Sequence, residues 1–233
     1  MPYLRDRAIV LKKEPYREHD RRYYLYGREH GMLIAIARGA SSKKSKQAGH
    51  LEPFSEVDVM IAKGAAQDKL AVARCLDSRP RAHDHAPLPA HGSRLAFYSI
   101  AGAFSDLMVK LTYPGIADER LFALVKELHA SLDAAPPEPT SERGRLMLAA
   151  ATLKLLDILG FAPVIRESEE NTTPVVSLAL VSFLRRAPLS DVWRLTGRTD
   201  VFRAASGFVD EALKATHLGS QPRHAEGIYA MLG

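Results

Sequence analysis

The sequence predicts an α+β protein in two parts, a set of five short strands followed by an all-α region, on three observations. Over the first 80 or so residues the apolar positions come in short runs or alternate with period two. From about residue 93 the period lengthens to that of a helix, about 3.6. Between the two, Pro80, Pro87, Pro89 and Gly92 are scattered among histidines, as in a connection that is neither strand nor helix.

The strands follow in order. Arg7 to Leu11 is a compact run broken by Glu14-Pro15-Tyr16. Arg21 to Tyr26 is rich in aromatic residues, and His30-Gly31 turns the chain into the nearly continuous apolar run Met32 to Ala37. In Phe54 to Ile61, Val57, Val59 and Ile61 alternate with Glu56, Asp58 and Met60. A polar turn from Lys63 to Asp68 leads to the fifth run, Leu70 to Leu76. This count matches the oligonucleotide-binding β-barrel. The organisation predicted is an oligonucleotide-binding domain over residues 1–81, a linker over 82–92 and a helical domain over 93–233.

In the helical part, Leu121, Leu124, Val125, Leu128 and Leu132 share one face. Ser93 to Thr112 and Ser141 to Leu159 read as helices, the latter stopped by Gly160, a good residue for the position after a helix end. A break around Pro163 to Pro174 precedes two more, about Val175 to Arg186 and Thr199 to Ala215.

Hydrophobic residues at 46% and charged residues at 25% suit a globular chain. The longest apolar stretch, Val175 to Leu184, falls far short of the roughly 20 residues of a membrane span. The start lacks the apolar segment of a secretory signal, so a cytoplasmic location is expected. A single cysteine, Cys75, excludes an internal disulfide and a cysteine-based zinc cluster.

Charge is unevenly spread. Residues 1–81 hold 17 Lys/Arg against 10 Asp/Glu, and the remainder holds 15 against 17. Clustered cations are the footprint of a surface that neutralises phosphates. Signatures of nucleotide hydrolysis, dinucleotide redox, serine hydrolysis and zinc proteolysis are absent. His83, His85 and His91 in the linker have the residue type of zinc ligands, which keeps a metal-dependent enzyme as an alternative.

The candidate phosphate and base contacts are Arg5, Arg7, Arg21, Arg22, Tyr24, Tyr26, Arg38, Lys43, Lys44 and Lys46. Arg38 to Gln47 mixes cations with hydroxyls, and both bond phosphate oxygens without reading sequence. Tyr24 and Tyr26, opposite in facing to Tyr23 and Leu25, are candidate platforms for stacked bases. An RNA-binding barrel satisfies the same observations. In the helical part Arg185, Arg186, Trp193, Arg194, Arg198 and Arg203 are candidates to receive an acidic, apolar-tipped peptide of a partner.

Together, EHDRRYYLYGREHGMLIAIARGASSKKSK, from Glu18 to Lys46, and LEPFSEVDV, from Leu51 to Val59, resemble the RecO family of bacterial recombinational repair proteins. RLFALVKELHASL, the LKLLDILGFAP ending at Pro163 and, more loosely, LRRAPLSDVWRL are similar to that family's helical domain. The resemblance implies an oligonucleotide-binding barrel, a helical domain and no catalytic chemistry or cofactor. It also implies binding of single- and double-stranded DNA, strand annealing, capture of the acidic tail of single-stranded DNA-binding protein, and loading of recombinase with RecR. Two departures stand out. Arg166 to Asn171 replaces the four cysteines many relatives carry after G-[FLY]-A-P, and Tyr16-Arg17-Glu18-His19-Asp20 lacks the usual small residue before the acidic pair. If the lysine loop holds phosphates, replacing Lys43, Lys44 and Lys46 together with alanine flattens the slope of log affinity against log salt. An unchanged slope in a salt titration removes the loop from the interface.

Overall fold

The computed structural model describes residues 2–41, 50–76, 91–136, 141–163 and 178–216, with only the backbone for 91–97 and 178. The predicted α+β class holds. Five strands, β1 (Tyr3–Pro15), β2 (Arg21–Gly27), β3 (Gly31–Ala37), β4 (Glu56–Ala62) and β5 (Lys69–Cys75), form a closed barrel in the order β1-β2-β3-β5-β4. Among the described residues six helices follow: α1 (His91–Leu111), α2 (Glu119–Asp133), α3 (Ser141–Ile158), α4 (Leu178–Arg186), α5 (Leu189–Val192) and α6 (Thr199–Ala215). No helix among the described residues is long and apolar enough to cross a membrane.

The barrel interior is set by strand alternation. Tyr23 and Leu25 of β2, Leu33, Ala35 and Ala37 of β3, and Val57, Val59 and Ile61 of β4 point inward. Each large apolar side chain so buried contributes roughly 1.5–3 kcal/mol. Alanines at 8, 35, 37 and 73 leave room for the larger residues facing them, as a narrow barrel requires. Long β1 serves two neighbours. Its first half pairs with β4 from Tyr3 opposite Ala62, and its second half pairs with β2 to Pro15 opposite Arg21, with a register shift between Val10 and Lys12. Closure comes from a short parallel contact of β3 with β5, Ile36 opposite Lys69, with the Ile36 N–H donating to Asp68 O at 3.0 Å.

By contacts the chain divides into two compact units, Met1–His85 with Ser105–Ala123, and Ala86–Phe104 with Leu124–Gly233. Sequence periodicity draws its boundary at the linker and puts residues 105–123 with the helices; by contacts they group with the barrel, where they cover part of its outer surface. Ile9, Leu11, Tyr26 and Met32 lie outside the barrel's interior cluster yet are buried. Pro114 bridges Gly31 and Met32, the Tyr26 hydroxyl accepts a hydrogen bond from the Asp118 N–H at 3.2 Å, and Lys12 pairs with Asp106 at 3.0 Å.

The β2–β3 turn is fixed from below by a buried carboxylate. Asp6 accepts hydrogen bonds from the backbone N–H groups of Glu29 and His30, at 3.2 and 3.0 Å, and contacts His30 Nδ1 at 3.1 Å. A side chain at Gly27 would sit 2.1 Å from Asp6 Oδ2. Gly31, at φ +66°, lets the Ile116 carbonyl approach so closely that a Cβ would lie 2.0 Å from it.

In the second unit α3 is the central helix, buried continuously from Leu146 to Leu153 and packed against α4, α5 and α6. Its small residues Gly144 and Ala149 to Ala151 permit close approach on several sides. Gly160 ends it at φ +80°, with the Phe161 N–H reaching Leu156 O at 2.7 Å and the Gly160 N–H reaching Asp157 O at 3.2 Å. Leu124, Val125, Leu128 and Leu132 of α2 are buried as the spacing predicts. Gly31→Ala places a methyl against a carbonyl in a backbone region that favours glycine, and is expected to cost more than about 1–3 kcal/mol in a denaturant melt.

Candidate nucleic-acid interface

Strand alternation leaves the outward side chains of β2 and β3 as a surface, and closure of the barrel brings the β4–β5 turn (residues 63–68) beside it. The result is an open groove of about 420 Å³. Arg22, Tyr24, Ile34 and Ile36 form its floor, and Gly64, Ala66, Gln67 and Asp68 form a wall. Ile34 is 40% exposed, unusual for a large apolar residue in mid-strand.

The wall is held in several ways. Asp68 pairs with Lys63 at 2.6 Å and accepts the Gly64 N–H at 3.2 Å. The Gln67 side chain hydrogen-bonds the Tyr16 hydroxyl of the β1–β2 turn (residues 16–20), joining the two turns at one edge of the groove. The guanidinium groups of Arg22 and Arg17 lie over the Tyr16 ring, 4.7 and 5.3 Å from its centroid. The Gln67 bond, helped by these cations, draws the Tyr16 hydroxyl below its ordinary pKa. On the floor, Glu14 accepts from Arg22 at 3.1 Å and from the Tyr24 hydroxyl at 2.9 Å. Burial, followed by Glu14, pushes the Tyr24 hydroxyl upward, so it stays a neutral donor at pH 7.

Three cations without a carboxylate partner among the described residues come from neighbouring segments. Arg17 is in the β1–β2 turn, Arg21 starts β2, and Arg38 leaves β3. One side-chain and one backbone acceptor draw these segments together: the Gly39 N–H donates to Asp20 Oδ1 at 2.9 Å, and the Ser41 N–H donates to His19 O at 3.0 Å. Lys43, Lys44 and Lys46 follow in the chain but lie outside the described residues.

The sequence-derived set therefore divides. Arg22 and Tyr24 line the groove, while Arg21 has the strand parity of the inward Tyr23 and Arg38 follows the end of β3. Arg5 and Arg7 are on the β1–β4 seam, opposite Met60 and Asp58 in register. There Arg7 is bonded to Glu56, which raises its pKa further, and Arg5 lines a separate depression with Asp58, Glu29 and Arg74. Tyr26 must be corrected. It faces outward as alternation predicts, but the ring is fully buried and its hydroxyl is engaged with the Asp118 backbone, so no base can stack on it.

Trp193 is likewise corrected. It is buried, and its indole N–H donates to Ser131 O at 2.8 Å, so its ring is core and not a peptide anchor. Arg185 pairs with Asp157, Arg194 with Asp191, Arg198 with Asp200 and Arg203 with Glu142, while Arg186 is exposed at the end of α4. His83, His85 and the Arg166 to Asn171 stretch lie outside the described residues, as does the side chain of His91. Sequence reasoning passed over Tyr16, Arg17, Ile34 and Gln67. An aromatic residue beside arginine after Pro15, and the outward parity of Ile34, were the available signals.

Residues 1–79 match the family described as recombination protein O, N terminal. Three curated relatives carry the name DNA repair protein RecO. The protein of Synechococcus sp. (strain JA-3-3Ab) is 27% identical over 94% of this chain and 72% of its own length. That of Cutibacterium acnes is 30% identical over 70% of this chain and 63% of its own length. That of Rubrobacter xylanophilus is 32% identical over 70% of this chain and 60% of its own length. If Tyr26 serves only packing, Tyr26→Phe lowers stability by about 1 kcal/mol for the missing hydroxyl bonds while nucleic-acid affinity stays at the wild-type value. Parallel melting and binding titrations check both halves.

Proposed function

Because the chain belongs to the RecO family, we propose that it is a DNA repair and recombination mediator that binds single- and double-stranded DNA and anneals complementary strands. It does so without catalysing a bond change and without a cofactor. The observation that carries the reading is that Arg17, Arg21 and Arg38, on the β1–β2 turn and the adjoining ends of β2 and β3, have no carboxylate partner among the described residues. Strands 2 and 3 with the neighbouring turns are where an oligonucleotide-binding barrel takes its ligand.

Annealing follows from electrostatics. Two complementary strands repel, and a surface that neutralises phosphates on both lowers the encounter barrier without favouring a sequence. Loading of recombinase with RecR and capture of the acidic tail of single-stranded DNA-binding protein complete the proposal. The exposed arginines of the second unit, Arg186, Arg194, Arg198 and Arg203, are the contacts suggested for that tail. The site of action is chromosomal DNA in the cytoplasm.

Annealing of complementary oligonucleotides, bare and coated with single-stranded DNA-binding protein, tests the reading directly. The full chain is expected to accelerate both reactions, and no acceleration of either removes the proposal. Changing Arg17, Arg21 and Arg38 together to alanine is expected to reduce the single-strand salt slope by about two, since each phosphate no longer neutralised takes roughly 0.7 from it.

A further inference from the structure

Asp20 stands close to Arg17 and Arg21 in the chain, yet it pairs with no cation among the described residues. On charge alone, such a carboxylate weakens the hold of its surface on a polyanion. Its contacts point to a different role. One carboxylate oxygen accepts the Gly39 N–H at 2.9 Å, just past the end of β3, and the neighbouring His19 carbonyl accepts the Ser41 N–H at 3.0 Å. The β1–β2 turn that carries both acceptors is closed from within, the Tyr16 N–H donating to the Asp20 carbonyl at 3.1 Å. Gly39 takes φ +64° with open space where a Cβ would be, so conformation and not crowding favours glycine there. Ala37 and Ala40 both belong to the barrel's interior cluster, and Arg38 between them is exposed. The path of three backbone residues therefore decides where the Arg38 side chain leaves the surface, and Asp20 holds the middle of that path.

We propose that Asp20 is a positioning residue for the DNA backbone: by holding the Gly39 N–H it fixes the segment from which Arg38 meets a phosphate. This deepens the DNA-binding reading and rests on it. A hydrogen bond to an ionised acceptor is of the stronger kind, and a backbone already set loses less freedom when its side chain is engaged. Two opposed effects thus meet in one side chain. The negative charge of Asp20 opposes a phosphate, while its hydrogen bond places a cation that takes one, and the sign of the net effect separates the two.

The test is a double-mutant cycle on the full chain, read as affinity for a short oligothymidylate across a salt series. Asp20→Asn keeps an acceptor and drops the charge, and is expected to bind at the wild-type level or tighter. Asp20→Ala drops both, and is expected to bind about 5-fold more weakly at about 0.1 M salt, with a salt slope smaller by about 0.7, the share of one phosphate on a single strand. Arg38→Ala is expected to show the same loss, and adding Asp20→Ala to it is expected to weaken binding no further. Asp20→Leu, close to aspartate in shape and without an acceptor, takes the place of the alanine variant if that one unfolds. Binding by the alanine variant as tight as wild type or tighter overturns the proposal, since the carboxylate then acts through its charge. An equal loss with and without Arg38 overturns it as well, as does an asparagine variant as weak as the alanine one or an Arg38→Ala variant that binds normally. Unfolding of both the alanine and the leucine variants makes Asp20 a residue of the fold at large and overturns the local role. Failure of the wild type to bind the oligothymidylate is a different result, which removes the DNA-binding reading itself.

Discussion

The organisation of the first unit depends on one short closure, the parallel contact between the end of β3 and the start of β5. Parallel pairing gives less per residue than antiparallel pairing, and here it comprises little more than Ile36 opposite Lys69 and the bond from Ile36 to Asp68. Its consequence exceeds its size. By fixing Asp68 beside β3 it turns the β4–β5 turn into the wall of a groove whose floor is β2 and β3. The Lys63–Asp68 pair, the Gly64 N–H bond and the Tyr16–Gln67 contact then hold the wall in place. These are solvent-facing interactions of modest value singly, so the shape of the groove is a joint property of two turns and a strand end.

The outer face of the same sheet meets two fates. Toward the β2–β3 turn, Tyr26 and Met32 are covered by the chain's own residues 113–118, guided there by Gly31 and by the turn that Asp6 holds. Further along, Tyr24 and Ile34 have no such cover. Residues of one parity on one strand thus divide into core and surface within two positions. The Arg120 side chain holds the Asp118 carboxyl below its usual pKa, and the same carboxylate accepts the Arg120 N–H at 2.8 Å. This start of α2 therefore stays capped at neutral pH and weakens only as the pH falls through that lowered value.

Much of this was legible because it is local. Alternation put Val57, Val59 and Ile61 inside, with Tyr23 and Leu25, and put Arg22 and Tyr24 outside. Gly160 marked the end of its helix because only a left-handed residue completes the hydrogen bonds found there. What failed was non-local. The residues that bury Tyr26 lie about 90 positions later in the chain, and Ser131, which receives the Trp193 N–H, lies 62 positions earlier. The continuous apolar run of β3 carried information that alternation alone discards: its outward Met32 and Ile34 needed reasons, and the covering segment and the groove supply them.

Net charge also changes meaning once pairs are drawn. The first third is strongly basic by count, yet Arg7, Lys12, Lys13, Arg22, Arg28, Lys63 and Arg74 each have a carboxylate partner. Only the cations left over are ready to replace counterions around a phosphate, Arg17, Arg21 and Arg38 among them. A count of charge therefore overstates the surface available to phosphates, because a cation already bonded to a carboxylate has to lose that partner before it can take a phosphate.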